Sequence, residues 1–392
     1  MTQSVETNPY GVRVPGDGSG LWWTTEPLDD HPLVAWEEDS HVRAWVDVDH
    51  AEEQVRKFEA SLARLPEMIL PQVDRGHVVV VTGPVGMGKT TLIHRCVHLM
   101  QERLREAAVR AERSRLGPDD IRPPRPVVVM TGGYRNHADS VSVDERGRFA
   151  TTEGINGAIR KKIVSELELR LTDAVKGRVP VDGAVFDTFA EISRLLAEQD
   201  AMLLALVPHL GWRDDMGSVR TEFLRSCLRH ARSRIVLFVE VGHHDPRTAH
   251  DEVIAVLGSQ PALTHLSLGS LSPEDTVKFS QAARGDHPDP DALTPTAPDA
   301  PRDPEAWRHS DVRELRKICF SVAEEQRRRH GRVRVTASDL PTPTPDLASL
   351  ARVPPRAERA AVTAAAARPS GAATPAPLPV PPQPAPPPSP GA

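Results

Sequence analysis

The chain has 392 residues and a formal net charge of −6 at pH 7, which allows two domains and argues against a protein that coats nucleic acid. The three cysteines, Cys96, Cys227 and Cys319, are far apart and odd in number, so we expect buried thiols in a reducing compartment and neither disulfides nor a zinc site. The first residues lack the features of a signal peptide, and no apolar run approaches the roughly 20 residues that span a bilayer, so we expect a cytoplasmic protein without a membrane partner.

Residues 1–44 are predicted to form an N-terminal arm, partly disordered. Gly, Asp and Pro are frequent in this region, and Trp22, Trp23 and Trp36 stand out among them. We expect an extended segment that packs on the body of the protein. A docking peptide for a protein partner is the alternative.

A first helix is predicted from about Ala51 to Leu65. Asp49 precedes this segment and is expected to cap its N-terminus. The apolar residues recur at helical spacing and so predict one buried face, formed by Val55, Phe58 and Leu62.

A loop motif follows, and it is the most informative feature of the sequence. The segment fits the pattern G-x-x-x-x-G-K-[ST], with the residues Gly83, Pro84, Val85, Gly86, Met87, Gly88, Lys89 and Thr90. A short apolar strand precedes the loop, and a helix follows whose apolar stripe is Leu92, Cys96, Leu99 and Met100. Strand, glycine loop and helix N-terminus are the parts that surround the phosphates of a nucleotide.

The expected ligands of this loop are ATP and Mg²⁺, with GTP left open. Lys89 would neutralise the β- and γ-phosphates, Thr90 would offer its hydroxyl to Mg²⁺, and Thr91 completes the predicted cofactor-binding set. Lysine is rare in the chain, with 7 Lys against 41 Arg, so Lys89 stands out from its background. We expect its side chain to face solvent in the absence of nucleotide, so that Lys89→Ala leaves the fold intact.

Further apolar runs predict a P-loop NTPase domain, a parallel α/β sheet with flanking helices, over residues 45–271. The expected strands are 127–130, 234–240 and 263–268, and the expected helices are 159–171, 184–210 and 220–231.

The strand that begins at Ile235 leads to Glu240, which we predict to be the acid of the site. A triphosphate site needs a carboxylate at the C-terminal end of a strand beside the first, to hold Mg²⁺ or to orient the attacking water. A solvent-facing glutamate is the alternative for Glu240, and Asp245 is a weaker candidate acid. A metal cluster of His243, His244, Asp245 and His250 is disfavoured, because adjacent histidines in a loop point apart.

Residues 272–340 are predicted to form a helical lid. A first helix opens at Ser272-Pro273, a mobile loop spans residues 285–304 with six prolines, and Asp311 with Glu314 resembles a capping box for a helix that runs to about His330. Residues 341–392 are rich in Pro and Ala and are predicted to be disordered. We expect a solvated tail, with a spacer or a ligand for a proline-reading partner as alternatives.

The phosphate loop, the strand that ends in Glu240, the junction 266–274 and the helix that carries Arg313 resemble an AAA+ ATPase. In pattern the chain is most similar to bacterial relatives of the origin-recognition and STAND-type ATPases, over roughly residues 45–340. The resemblance implies a nucleotide domain followed by a lid from which Arg313 reaches the γ-phosphate. An exposed arginine at a helix start is equally compatible with this pattern.

The chain departs from this family at the acidic strand end. Two adjacent acids are usual there, whereas Val239-Glu240-Val241 supplies one. If Glu240 holds the metal, Val241 stands where the catalytic glutamate is expected; if Glu240 is catalytic, Val239 replaces the acid that holds the metal. The resemblance therefore implies nucleotide binding and not fast turnover.

We accordingly expect an ATP-binding protein that hydrolyses ATP slowly and acts as a nucleotide-dependent switch, with protein partners that the sequence does not identify. A nucleotide-gated scaffold or adaptor without hydrolysis is the alternative, and a P-loop kinase is a weaker one. Nucleic-acid contact through the basic residues 327–334 is not favoured, since no aromatic residues interleave with them. A homo-oligomer is left open.

Overall fold

The computed structural model of the protein describes the arm in part and most of the sheet and helices. The described residues are 8, 10, 13–14, 22–23, 33–36, 40–46, 48–69, 74–113, 122–131, 151–171, 175–180, 182–207, 217–242, 246–271, 275, 278–279 and 312–330. The chain divides into two units, residues 1–343 and 344–392. The predicted mobile loop 285–304 and the predicted tail 341–392 lie outside the described residues, as does most of the predicted helix that opens at Ser272.

The described part contains one large sheet and one small one. Two short strands of the arm pair antiparallel, and the other five strands form a parallel sheet in the order β4-β5-β6-β3-β7. The strands are β1 Arg13–Val14, β2 Trp22–Trp23, β3 His77–Gly83, β4 Arg125–Met130, β5 Ala201–Leu206, β6 Ile235–Gly242 and β7 Leu263–Ser267.

Helices cover both faces of the parallel sheet, because the crossovers between parallel strands need them. The helices are α1 Ser40–Arg43, α2 Asp49–Leu62, α3 Leu65–Ile69, α4 Lys89–Arg113, α5 Thr152–Leu171, α6 Val185–Glu198, α7 Gly217–His230, α8 Pro246–Leu257 and α9 Val312–His330. The predicted P-loop sheet with flanking helices is therefore confirmed.

The period-two pattern of β3 divides the core into two clusters. Val79 and Val81 face one cluster with apolar residues of α2, α4 and α9, and Val78 and Val80 face the other with those of α5, α6, α7 and α8. All seven residues of β3 are buried. The strand that leads into the phosphate loop is therefore held on both faces and between two neighbouring strands.

The predicted helix 184–210 is wrong in its second half. The helix ends at Glu198, and Ala201–Leu206 is strand β5, fully buried between β4 and β6. Its residues, AMLLAL, contain no β-branched side chain and favour a helix by propensity. The backbone of Asp200 has φ 44°, and this left-handed residue ends the helix before the strand begins.

Asp49 does not cap α2. It is the first residue of the helix, and Val48 occupies the N-cap position without a side-chain hydrogen bond. Val48 is buried in the core with Val55, Phe58 and Leu62, so packing of an apolar residue sets where this helix starts. The prediction of the apolar face was correct, and that of the cap was wrong.

The three cysteines are buried, as predicted, and unbridged. Burial raises the pKa of the Cys227 and Cys319 thiols to about 12, so both are neutral at physiological pH. They act as small apolar side chains of the core.

Candidate phosphate-binding site

The loop between β3 and α4 has the backbone that the glycines of the motif predict. Gly83, Gly86 and Gly88 have φ values of 147°, 80° and 83°, which other residues rarely adopt. A Cβ atom at Gly83 would also lie 2.9 Å from the carbonyl oxygen of Leu268. The 25-residue helix α4 begins at Lys89. The positive end of this long helix therefore faces the concave side of the loop.

The loop is anchored at two points. The side chain of Met87 is buried in the core, whereas that of Val85 is 63% exposed at the tip. The backbone N–H of Arg313, the second residue of α9, donates to the carbonyl oxygen of Gly86 at 3.3 Å. The helix predicted to belong to the lid therefore contacts the phosphate loop directly, and the side chain of Arg313 is exposed beside it.

Three predicted site residues meet at the start of α4. The Thr90 hydroxyl donates to Glu240 Oε2 at 2.6 Å, and Lys89 Nζ lies 3.6 Å from Glu240 Oε1. Lys89 Nζ also donates to the carbonyl oxygen of Pro84 at 2.8 Å. Thr91, the last residue of the predicted set, lies on the first turn of α4 and is half-buried.

The expectation that Lys89 faces solvent was wrong. Its side chain is 4% exposed and that of Glu240 is 8% exposed, so the ammonium and the carboxylate are buried together. Burial lowers the pKa of Lys89, the negative charge of Glu240 opposes this, and the charge of Arg313 adds to the lowering. Three charged groups from three elements are thus coupled at one end of the sheet.

Glu240 occupies its place because of the strand order. β6 lies directly beside β3, with Glu240 opposite Val81, so its side chain emerges next to the first turn of α4. The next residue, Val241, is buried in the core cluster on the opposite face. Strand β5, which the sequence did not reveal, ends at Leu206 and is followed by the buried Val207. Among the described residues at these strand ends, Glu240 is the carboxylate that reaches the loop. Asp245 lies outside the described residues.

Sequence reasoning missed His94. It lies four residues after Thr90 on α4, is buried, and accepts a hydrogen bond at Nδ1 from the indole N–H of Trp36 at 2.9 Å. Trp36 belongs to the N-terminal arm, and 58 residues separate it from His94. No local pattern connects the two residues.

The site combines a buried strand, a loop with three glycines at positive φ, a helix that starts at a lysine, and a carboxylate on the neighbouring strand. The fold is that of a P-loop NTPase. No protein-family model matches the chain, and no curated protein matches it. The likeness lies with solved structures alone.

The structure is similar to the ORC2 protein of Aeropyrum pernix, solved as ADPNP-ADP complexes, with 16% identity, 74% of this chain and 66% of that chain covered, and a TM-score of 0.38. For the ORC1 protein of A. pernix in complex with DNA, the identity is 18%, the coverages are 71% and 62%, and the TM-score is 0.33. For Cdc6p of Pyrobaculum aerophilum, the values are 14%, 73% and 64%, and 0.36.

The chain spans less than two thirds of the length of each of these three neighbours. At TM-scores below 0.5, the assignment of the site rests on the loop, on α4 and on Glu240 of this chain.

The structure describes part of the other features that the sequence singled out. His243, His244 and Asp245 lie outside the described residues, and no group of His, Cys, Asp or Glu in the described part could hold a metal ion by itself. The basic end of α9 is paired within the helix: Arg327 contacts Glu324, and Arg329 contacts Glu325. No helix in the described part is long and apolar enough to cross a membrane.

Proposed function

We propose that the chain binds ATP with Mg²⁺ at the loop 83–90, hydrolyses it slowly, and acts as a nucleotide-dependent switch. One observation carries the proposal. The hydroxyl of Thr90 lies 2.6 Å from the carboxylate of Glu240, beside the ammonium of Lys89. A phosphate ligand and a divalent cation require these three groups together, at the end of a helix that favours anions.

The residues present fit Mg²⁺. The hydroxyl of Thr90 and the carboxylate of Glu240 are hard oxygen donors, which this ion prefers, and Mg²⁺ keeps several waters that a carboxylate can hold. When bound, Mg²⁺ neutralises charge that develops on the phosphates. Lys89 supplies a second positive charge there, and its buried position means that this charge is weakly screened.

The contact between Thr90 and Glu240 favours a metal-holding role for Glu240 over that of a catalytic base. In that case the place expected for the base falls to Val241, whose side chain is buried in the core. Of the described residues at the end of the neighbouring strand β5, Leu206 and Val207, neither carries a carboxylate. Slow hydrolysis follows, because water would be oriented without a dedicated acid–base group.

The link between loop and α9 supports a switch. The Arg313 N–H donates to the Gly86 carbonyl oxygen at 3.3 Å, and the positive charge of Arg313 contributes to lowering the pKa of Lys89. A γ-phosphate beside Lys89 would attract the guanidinium, whereas ADP would leave that position empty. The two nucleotides would then favour different positions of α9.

A scaffold that binds ATP without turnover is the second candidate. The same observation favours it, since Glu240 is engaged with both Thr90 and Lys89 and Val241 offers no base. The two candidates differ in turnover and not in binding.

The test is steady-state release of phosphate by the purified protein, together with its affinity for ATP and GTP in the presence of Mg²⁺. We expect tight binding and slow release that Glu240→Gln reduces at least about 10-fold. Glu166→Gln on α5 is the matched control, a partly buried glutamate that also pairs with a lysine, Lys162, at 3.1 Å. Tight binding without release would favour the scaffold, and an absence of binding to either nucleotide would overturn both.

A further inference from the structure

Residues near both ends of the N-terminal arm contact α9. Near the start of the arm, the side-chain amide of Asn8 donates to the carbonyl oxygen of Phe320 at 2.9 Å, a buried contact between residues 312 positions apart. Ala44, the last residue of the arm, accepts at its carbonyl oxygen from Nη2 of Arg316 at 3.0 Å. The first turn of α9 carries Arg313, whose N–H donates to the phosphate loop. Three successive turns of α9 are therefore bonded to other parts of the chain.

The side chain of Asn8 is engaged at both ends of its amide. Asn8 is 8% exposed, and its side-chain oxygen accepts the backbone N–H of Tyr10 at 3.1 Å while its nitrogen donates to Phe320. The two bonds use the acceptor and the donor of one amide, so together they fix its orientation. A buried amide held in this way is specific for its partner, because a side chain without the donor leaves the contact with α9 unmade.

Tyr10 adds an apolar contact beside this hydrogen bond. Its side chain is 3% exposed and belongs to the core cluster that contains Cys319 and Phe320 of α9. Its ring stacks on that of Phe279, with centroids 6.0 Å apart and planes inclined by 10°, and its hydroxyl donates to the carbonyl oxygen of Phe279 at 3.4 Å. The start of the arm is therefore part of the core on which α9 packs.

Arg316 supplies a charged donor to the other end of the arm. Burial lowers its pKa to about 10, so the guanidinium is still protonated at physiological pH. Its carbon centre also lies 5.4 Å from the ring centre of Phe279, the residue on which Tyr10 stacks. Hydrogen bonds from charged donors are the stronger kind, so the bond to Ala44 reinforces the hold of the arm on α9.

We propose that Asn8 and Tyr10 are positioning residues for α9. They hold its third turn against the body of the protein, and so keep Arg313, on its first turn, beside the phosphate loop. The inference rests on the proposed function, because the position of α9 matters there as the switch. It gives the N-terminal arm a part in telling ATP from ADP, since a guanidinium that is already in place loses less freedom when it binds a γ-phosphate.

Asn8→Asp is the principal variant. It keeps the size of the side chain and an oxygen for the N–H of Tyr10, and it replaces the donor to Phe320 by a second oxygen, which the carbonyl repels. Asn8→Ala removes the donor without adding a charge and is the milder variant, to be used if Asn8→Asp does not fold. Trp36→Phe is the matched control, because it removes a hydrogen bond from the same arm to a different helix, from the indole to His94 of α4 at 2.9 Å.

The first readout is hydrogen exchange over α9 in the full chain without nucleotide, with thermal unfolding to show that each variant is folded. We expect Asn8→Asp to speed exchange of the α9 amides about 10-fold or more and to leave α5 at its wild-type rate. Tyr10→Ala should act in the same way, whereas Tyr10→Phe, which keeps the stacked ring, and Trp36→Phe should leave α9 close to its wild-type rate. Unchanged exchange over α9 in Asn8→Asp, or equal acceleration over α5 and α9, would overturn the proposal.

The second readout is the ratio of the dissociation constants of ADP and ATP with Mg²⁺, measured by titration calorimetry. We expect Asn8→Asp to reduce this ratio about 5-fold or more, because Arg313 is no longer held where a γ-phosphate would meet it. Trp36→Phe should keep the wild-type ratio. A merely structural role of Asn8 would weaken the binding of both nucleotides equally and leave the ratio as it was.

Failure of this inference is distinguishable from failure of the proposed function. If the wild type binds ATP more tightly than ADP, an unchanged ratio in folded Asn8→Asp overturns the role of Asn8 and leaves the proposed switch intact. If the wild type binds the two nucleotides equally, the proposed switch fails, and the role of Asn8 and Tyr10 in it fails as well.

Discussion

Two buried ion pairs, Arg220–Glu252 and Lys89–Glu240, differ in how the cation contacts the carboxylate. Arg220 joins α7 to α8: its Nε lies 2.9 and 2.8 Å from the two carboxylate oxygens of Glu252, and its Nη2 lies 2.5 Å from one of them, so two nitrogens of the guanidinium contact the carboxylate. Lys89 Nζ stays 3.6 Å from Glu240 and donates to a backbone carbonyl instead. The guanidinium of Arg220 contacts both oxygens of Glu252, whereas the ammonium of Lys89 is shared between Glu240 and the carbonyl oxygen of Pro84.

The difference shows how a structural ion pair is told from a candidate site. Arg220 and Glu252 lie within two helices, α7 and α8. Lys89 and Glu240 lie where a left-handed loop, a helix N-terminus and a strand end converge. A lysine is a compact charge that can exchange one oxygen partner for another, and a forked arginine is less able to do so. We therefore expect changes in the first pair to affect stability and changes in the second to affect ligand binding.

The largest expected effect is on folding. Arg220→Met should lower the free energy of unfolding by about 3 kcal/mol, because it leaves the carboxylate of Glu252 partly buried without its partner. Adding Glu252→Met should recover most of that loss, since an apolar pair needs no compensation. Urea unfolding measures both, and ATP affinity should stay at the wild-type value. An Arg220→Met protein that keeps the wild-type stability but no longer binds ATP would show that this pair serves binding and not stability.

The second effect is on affinity. Lys89→Met keeps the volume of the buried stem and removes the charge, and should weaken ATP binding about 100-fold, equivalent to about 2.7 kcal/mol, through lost contacts with two phosphates. Titration calorimetry measures the affinity, and urea unfolding confirms that the variant is folded. Lys162→Met, at a lysine paired with Glu166 on α5, is the matched control and should bind as the wild type. Unchanged affinity in folded Lys89→Met would falsify the site.

The smallest expected effect concerns Arg313, an exposed arginine of α9 that belongs to neither of these two ion pairs. If its guanidinium reaches the γ-phosphate, hydrogen exchange over α9 should slow with ATP more than with ADP, and Arg313→Ala should remove that difference. Arg328→Ala, at an exposed arginine near the other end of α9 that pairs with Glu324, should preserve it. Equal protection by both nucleotides in the wild type would mean that Arg313 senses nothing.

The parts of the site that the sequence revealed are those encoded locally. Gly83, Gly86 and Gly88 are required by backbone angles within the loop, and Lys89 with Thr90 follow at fixed spacing, so the motif identifies them together. Glu240 was found because an apolar run that leads to an acid is a local pattern too, although the strand itself continues to Gly242. The adjacent strand, β3, was equally predictable from its run of valines.

What the sequence did not reveal depends on tertiary contacts. β5 has the composition of a helix and is a strand because it fits between β4 and β6. Lys89 is buried because Glu240 and Pro84 draw its ammonium inward. His94 depends on Trp36, 58 residues away. Each of these outcomes requires knowing which distant element becomes a neighbour.

The bond between the Arg313 N–H and the Gly86 carbonyl joins two backbone groups. Nineteen of the twenty amino acids supply the donor at position 313, and every amino acid supplies the acceptor at position 86. Substitutions of the side chain at position 313 therefore leave this hydrogen bond in place. Proline at 313 is the substitution that would remove it, at a helix start where proline is otherwise well tolerated. Descendants of this chain could lose the arginine, and with it the proposed discrimination between ATP and ADP, while still inheriting a helix that is hydrogen-bonded to the loop.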